Sequence, residues 1–268
     1  MPGVSLMCPS GMDIFCAEYR AVYDSWTNKP STADSAKYNT WVLSKIADGT
    51  WAKRDIIYNF AVHTNADGEA LVNWKNPGTC NATLVNAPAF VAYEGFTSDG
   101  STSYIRSNYI PSVNGATWLQ DNASAGIYIR TDTAAGALRE MGVNATHDTH
   151  ILTRYTGDVA NIRLNSIAST SIANADAKGM YITNRVLSTH QDLYRNKVRI
   201  MNGVRDSSGI SDGEIYILCL NNVPAPSEFS DRQASMVVMG GGLTTDNIDD
   251  ETDNFEAYMD SQGTGIIP

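Results

Sequence analysis

Basic residues are scarce in this 268-residue chain. Nineteen lysines and arginines stand against 29 aspartates and glutamates, for a formal net charge of −10. A protein that wraps nucleic acid or lies on an anionic membrane needs a positive field, so neither partner is expected. The densest basic run, Arg195-Asn-Lys197-Val-Arg199, alternates and reads as the solvated face of a strand. Cysteine is equally sparse. Cys8, Cys16, Cys80 and Cys219 form no C-x-x-C pair, which excludes a disulfide framework and a cysteine-based zinc site and fits maturation in a reducing cytosol. Long apolar runs are missing as well. The longest, residues 215–220, is strand-sized, where a bilayer span needs about 20 residues. Residues 1–8 lack the basic and apolar regions of a signal peptide, so a route to the cell exterior other than secretion is expected. No 20–50-residue repeat occurs, which argues against a propeller or solenoid. The sequons at Asn81, Asn122 and Asn144 read as unmodified polar loops.

What is present is an ordinary globular share of apolar residues, 43%. Met12, Phe15, Cys16, Tyr19, Val22, Tyr23 and Trp26 recur at helical spacing, with Ser10 and Asp13 as a variant capping pair and Asn28-Lys-Pro30 as the stop. A second helix is expected from Ser31–Asp34 to Asp48-Gly49, burying Tyr38, Trp41, Val42 and Ile46. Residues 51–60 are apolar with mixed period, and Ala70, Leu71 and Trp74 suggest one further turn. From residue 79 the period drops to two, in short runs divided by Gly, Asn, Asp and Ser. Ala125, Ile127 and Ile129 should face a core, with Tyr128 and Arg130 facing away. Residues 149–155 and 159–165 flank the turn triplet Thr156-Gly-Asp158, and Asn202-Gly203 is the favoured type I′ pair. Residues 214–220 read as a central sandwich strand. The end returns to helix, from a cap at Thr244 or Thr245 to about Ser261, with Leu243, Ile248, Phe255, Tyr258 and Met259 inward. The expected architecture is therefore mainly β, an antiparallel sandwich (79–243) behind a helical region (1–78) and before a closing helix (244–268) that packs on it.

Several segments carry a resemblance: Gly49-Thr-Trp-Ala-Lys-Arg-Asp-Ile-Ile-Tyr58, Asn73-Trp-Lys-Asn-Pro-Gly-Thr79, Gly95-Phe-Thr-Ser-Asp-Gly-Ser-Thr-Ser-Tyr104, Gly126-Ile-Tyr-Ile-Arg130, and the strand–Gly–Leu–Thr–helix order from Val237 to Tyr258. Over about residues 38–262 their order resembles structural proteins of tailed bacteriophages and prophages that carry a concanavalin A-like lectin/glucanase (laminin G-like) sandwich, or jelly roll. The resemblance implies a non-enzymatic virion protein exposed on the particle, as head decoration or tail component. Its implied partners are other virion proteins and further copies of itself. Two other readings stay open, a receptor-binding lectin for host surface glycan and a glycan depolymerase.

The candidate site residues follow from sandwich-lectin chemistry, in which loops present aromatic rings beside planar polar groups. Tyr104, Tyr109 and Trp118 are the candidate glycan contacts, with Asp99, Arg106 and Asn108 nearby; the alternative is that Tyr109 and Trp118 pack the N-terminal helices onto the sheet. No catalytic residue, metal site or cofactor is expected, although Ca²⁺ near Asp99 stays open. Glu251-Thr-Asp253-Asn-Phe-Glu256 matches the E-x-D-x-x-E string of sandwich glucanases, but on a helix Glu251 and Asp253 point about 200° apart. Its acidity, with Asp246, Asp249 and Asp250, suits a helix N-terminus. Gly240-Gly-Gly242 lacks phosphate-loop spacing and reads as a tight corner. His147 and His150, three apart at a strand entry, could share a metal only in a loop.

Overall fold

The computed structural model describes residues 15–223 and 225–268. Helix α1 (Ala17–Ser25) opens with the Cys16 Sγ accepting from the Tyr19 N–H. Ser10, Met12 and Asp13, read as part of this helix and its cap, lie outside the described residues, as does Cys8. Helix α2 (Thr32–Ala47) is capped by Ser31, whose Oγ accepts from the Asp34 N–H, and stops where Gly49 turns to φ +79°. Among the described residues no helix is long and apolar enough to cross a membrane.

The strands, numbered along the chain, form two sheets. The first runs β13 (Val198–Val204), β12 (His190–Arg195), β11 (Gly179–Leu187), β6 (Ala123–Ile129), β17 (Gln233–Gly240), β4 (Gly95–Thr97), β3 (Ala89–Val91). Strand β1 (Arg54–Asn59) also pairs with β17, Ile57 opposite Val238. The second runs β10 (Thr170–Ala173), β9 (Val159–Leu164), β8 (Thr149–Tyr155), β7 (Met141–Asn144), β14 (Tyr216–Ile217), β5 (Tyr104–Arg106), β2 (Thr83–Val85), with β15 (Leu220–Asn222) on β7 and β16 (Ala225–Ser227) on β15. Among the described residues the pairings between these strands are antiparallel except β15 on β7. The two sheets form a sandwich, and the single-turn helix α3 (Pro111–Asn114) sits in the connection between β5 and β6.

Four local expectations are corrected. Residues 54–59 are not part of a helical region but a strand inside the first sheet, because Ile56, Ile57 and Tyr58 are buried on both faces and an apolar run of this length has no decisive period. Tyr128 does not face solvent; its ring meets the edge of Phe255 at 5.0 Å under the closing helix. The β12–β13 hairpin turns at Asn196-Lys197, both at positive φ, while Asn202 and Gly203 lie within β13 opposite Asp192 and Gln191. Residues 214–220 are broken at Leu218, φ +65°, into the ends of β14 and β15.

Helix α4 (Thr245–Ser261) begins as expected, with Thr244 and Asn247 forming a reciprocal capping box. Its entry is the Gly240-Gly-Gly242 corner, where a Cβ on Gly240 would stand 2.3 Å from the Lys53 carbonyl oxygen and one on Gly242 2.4 Å from Asn122 Oδ1. Leu243, Ile248, Phe255, Tyr258 and Met259 are all buried. The helix covers β6, β17 and β1 on the outer face of the first sheet, and α2 lies beside it with Trp41 against Phe255 and Tyr258, each at 5.6 Å. One continuous core runs from Tyr19 to Met259. The cover ends along β11: Met180 and Ile182, in register with Tyr128 and Gly126, are buried, while Val186 and Leu187 beyond them are exposed.

Candidate functional site

Beyond the edge of that cover lies a groove of about 550 Å³. Strand alternation builds its floor: His190, Asp192 and Tyr194 occupy every second position of β12 and face the same way. Registration adds Asn184 and Asn202 on either side of Asp192, and Arg199 beside Tyr194. The wall is the entry to α4, where Leu243, Thr244 and Thr245 line the groove. Asn184 pins this wall, its Nδ2 donating to the Leu243 carbonyl at 3.0 Å and its Oδ1 accepting from the Leu243 N–H at 2.9 Å. One end is aliphatic, formed by Val186 and Leu187.

The electrostatics centre on Asp192. Its Oδ2 lies 3.7 Å from Arg199 Nη1, an ion pair longer than a hydrogen bond. Its Oδ1 is buried and has no hydrogen-bond partner. Burial raises the carboxyl above its usual range, against the pull of Arg199 and His190. Burial likewise pushes the Tyr194 phenol up. The Arg199 side chain is half-exposed, at 51%. His190 contacts the Thr189 hydroxyl through Nδ1 at 2.8 Å. The groove thus sets an unsatisfied acceptor next to an accessible guanidinium fork, while the Tyr194 ring, 7% exposed, is packed into the floor. That is the equipment for a pair of neighbouring hydroxyls, one donating to the carboxylate and one accepting from the guanidinium.

The residues singled out from the sequence are placed elsewhere. Trp118, Tyr109 and Tyr104 are 1%, 1% and 8% exposed, so the expectation that they contact glycan is overturned: none has a ring face free for a sugar. Trp118 donates its Nε1–H to Asn165 Oδ1 at 2.9 Å, and Tyr109 its hydroxyl to Asp55 Oδ2 at 2.9 Å. Tyr104 packs against Tyr216 at 4.9 Å and Phe229 at 6.0 Å. Arg106 grips Glu214, and Asn108 donates to the Asn81 carbonyl. Asp99 accepts the N–H groups of Ser101, Thr102 and Ser103 and the Thr102 hydroxyl, which hold its carboxyl far below the usual range and occupy it as a loop clasp. His147 meets Ser208 while His150 is buried against Asn161. Among the described residues no three His, Cys, Asp or Glu side chains gather as a metal would require.

The acidic string of α4 divides its work. Glu251 is wholly buried and takes both Lys45 Nζ and Arg54 Nη2, the latter at 2.8 Å. Asp253 reaches outward to Lys197 at 2.8 Å, and Glu256 accepts the Tyr128 hydroxyl. The three carboxylates do not converge. What sequence reading missed was the His190-x-Asp192-x-Tyr194 alternation, a period-two polar and aromatic run whose one-sided placement was its signal.

No protein-family model and no curated protein matches the chain. Solved structures do match. The binding domain of botulinum neurotoxin serotype D aligns at TM-score 0.54 and 10% identity over 76% of this chain and 51% of that one. The receptor-binding domain of the C/D mosaic serotype gives the same values, TM-score 0.54 and 10% identity. The Trypanosoma rangeli sialidase in complex with sialic acid aligns at TM-score 0.50 and 10% identity over 87% of this chain and 39% of that one. The chain spans about half the length of the toxin domains it matches. What it shares with them is the β-sandwich.

Proposed function

We propose that this chain is a non-enzymatic carbohydrate-binding protein, with the β11–β13 groove as its site. The observation that carries the reading is Asp192, whose buried, unpartnered Oδ1 stands beside the half-exposed Arg199 guanidinium. A buried acceptor without a donor costs about 1–3 kcal/mol, and a ligand hydroxyl removes that cost on binding. The receptor-binding role named for the toxin domains and the sialic acid bound to the sialidase agree with such a use of the fold, which by itself leaves function open. The non-enzymatic part rests on the sequence resemblance. Display on a tailed-phage particle, as a homo-oligomer beside other virion proteins, rests on the sequence resemblance alone.

A glycan array tests the site. Wild-type protein should give saturable binding to a narrow set of saccharides, and Arg199→Ala, at an exposed position, should weaken it about tenfold or more while leaving the unfolding midpoint within error. Binding that is unchanged in both Arg199→Ala and Asp192→Asn removes the groove from the proposal. Reducing-end release from host polysaccharide would replace it with the depolymerase. Locating the chain in a reconstruction of its source particle tests the display.

A further inference from the structure

The groove is not uniformly polar. Register slips between Asn184 and Leu187 in the β11–β12 pairing. In a regular strand, neighbouring residues point to opposite faces, yet at this bulge Val186 and Leu187 both line the groove. They are 52% and 58% exposed, consecutive aliphatic side chains held open to solvent. Leu187 lies opposite His190, and His190 opposite Val204, which is 63% exposed. Val186 and Leu187 therefore form an aliphatic lip at one end, uncharged, while Val204 lines a neighbouring hollow with Ile167. Moving along β12 away from the lip, the lining changes to Asp192, flanked by Asn184 and Asn202, and then to Tyr194 and Arg199.

We infer that the groove takes an amphipathic saccharide, a sugar carrying an alkyl or acyl substituent. The hydroxyls engage Asp192 and Arg199 while the apolar substituent lies on Val186 and Leu187. This rests on the carbohydrate reading above. Water over the lip is released when an alkyl chain covers it, and each methylene buried there strengthens binding several-fold. A bulge that aims two aliphatic side chains into a polar groove weakens strand pairing with no return to the core, since neither side chain is buried.

The test uses two probes of one sugar, n-octyl and methyl β-D-glucopyranoside, both below micellar concentration. Binding is followed by amide chemical shifts of the wild type, Leu187→Ser and Asp192→Asn. Leu187 is exposed, so its replacement leaves the fold intact. The expected result is that the octyl glycoside shifts residues of β11–β13 at about a tenfold or greater lower concentration than the methyl glycoside. That gap should collapse in Leu187→Ser, and both probes should weaken in Asp192→Asn. Equal binding of the two probes overturns the inference and leaves the carbohydrate reading standing. Octyl binding that is the same in Asp192→Asn as in wild type is detergent association only, and overturns it too. So does the absence of any shift in β11–β13 with either probe; the carbohydrate reading is then judged by the array.

Discussion

Two carboxylates, Glu251 and Asp192, show how differently one charged group is used. Glu251 is buried between two cations; burial alone would raise its carboxyl, but the Lys45 and Arg54 charges and hydrogen bonds overcome this and bring it down to about 2. Lys45 is driven the other way, its ammonium lowered by burial against the attraction of Glu251, because one anion serves two cations. Removing the anion leaves both cations buried, so Glu251→Gln should destabilise the protein by about 3–5 kcal/mol, read from urea unfolding at pH 7. The folded value lies below the unfolded one near 4.5, so the contribution is present above that value and lost as pH falls through about 2. The gap between wild type and Glu251→Gln should therefore narrow across that interval, and a gap constant with pH would refute the assignment. Asp192 has the opposite sign. Its carboxyl is raised, so folding opposes its ionisation at neutral pH, and Asp192→Asn should unfold at a higher urea midpoint while binding less. Trp118→Ala should cost about 3–5 kcal/mol with no selective loss of binding, since the ring fills the interior. A stable variant that had lost only binding would reinstate Trp118 at the site.

At the scale of elements, the helices were readable because their signals are local. Ser31 and Thr244 cap the helices that they precede in sequence, and the inward stripe of α4 has helical spacing. Strand β1 was not readable, since being buried on both faces is a property of its neighbours. Its position gives a prediction: a fragment starting near residue 76 lacks β1 and leaves the flank of β17 unpaired along residues 236–240, so it should show no cooperative thermal transition. Folding of that fragment would make the first 75 residues an appendage after all. The β12–β13 turn offers a gain instead. Lys197 sits at φ +73°, where a side chain is strained, and Lys197→Gly should stabilise the protein by about 0.5–1 kcal/mol, the exposed pair with Asp253 offsetting little. A lower melting temperature in that variant would count against the turn.

At the scale of the whole molecule, the division into a helical region, a sandwich and a closing helix describes the sequence better than the fold. Tyr19, Ile57, Ile127 and Met259 belong to one core, and the Lys45–Glu251–Arg54 cluster ties α2, β1 and α4 together. Calorimetry should accordingly show a single transition with matching calorimetric and van't Hoff enthalpies. Two resolved transitions would restore the separate parts. The closing helix is also what makes the groove: by covering β6, β17 and β1 and stopping at Thr244, it provides one wall and leaves the rest of the face open.

The sequence by itself determined the class of fold, the caps of α2 and α4, the β8–β9 hairpin and the divergence of the acidic string, because each follows from spacing or from a turn residue acting on its neighbours. Tertiary structure alone decided which aromatic residues are buried and where a site can lie. Tyr104, Tyr109 and Trp118 read as candidate glycan contacts, and Tyr109 and Trp118 equally as packing residues, until their neighbours are in place; Arg199 reads as part of a solvated strand face until α4 is laid beside Asp192 and Tyr194. Exposure is set by what packs on a residue from far along the chain, and no local pattern carries that information.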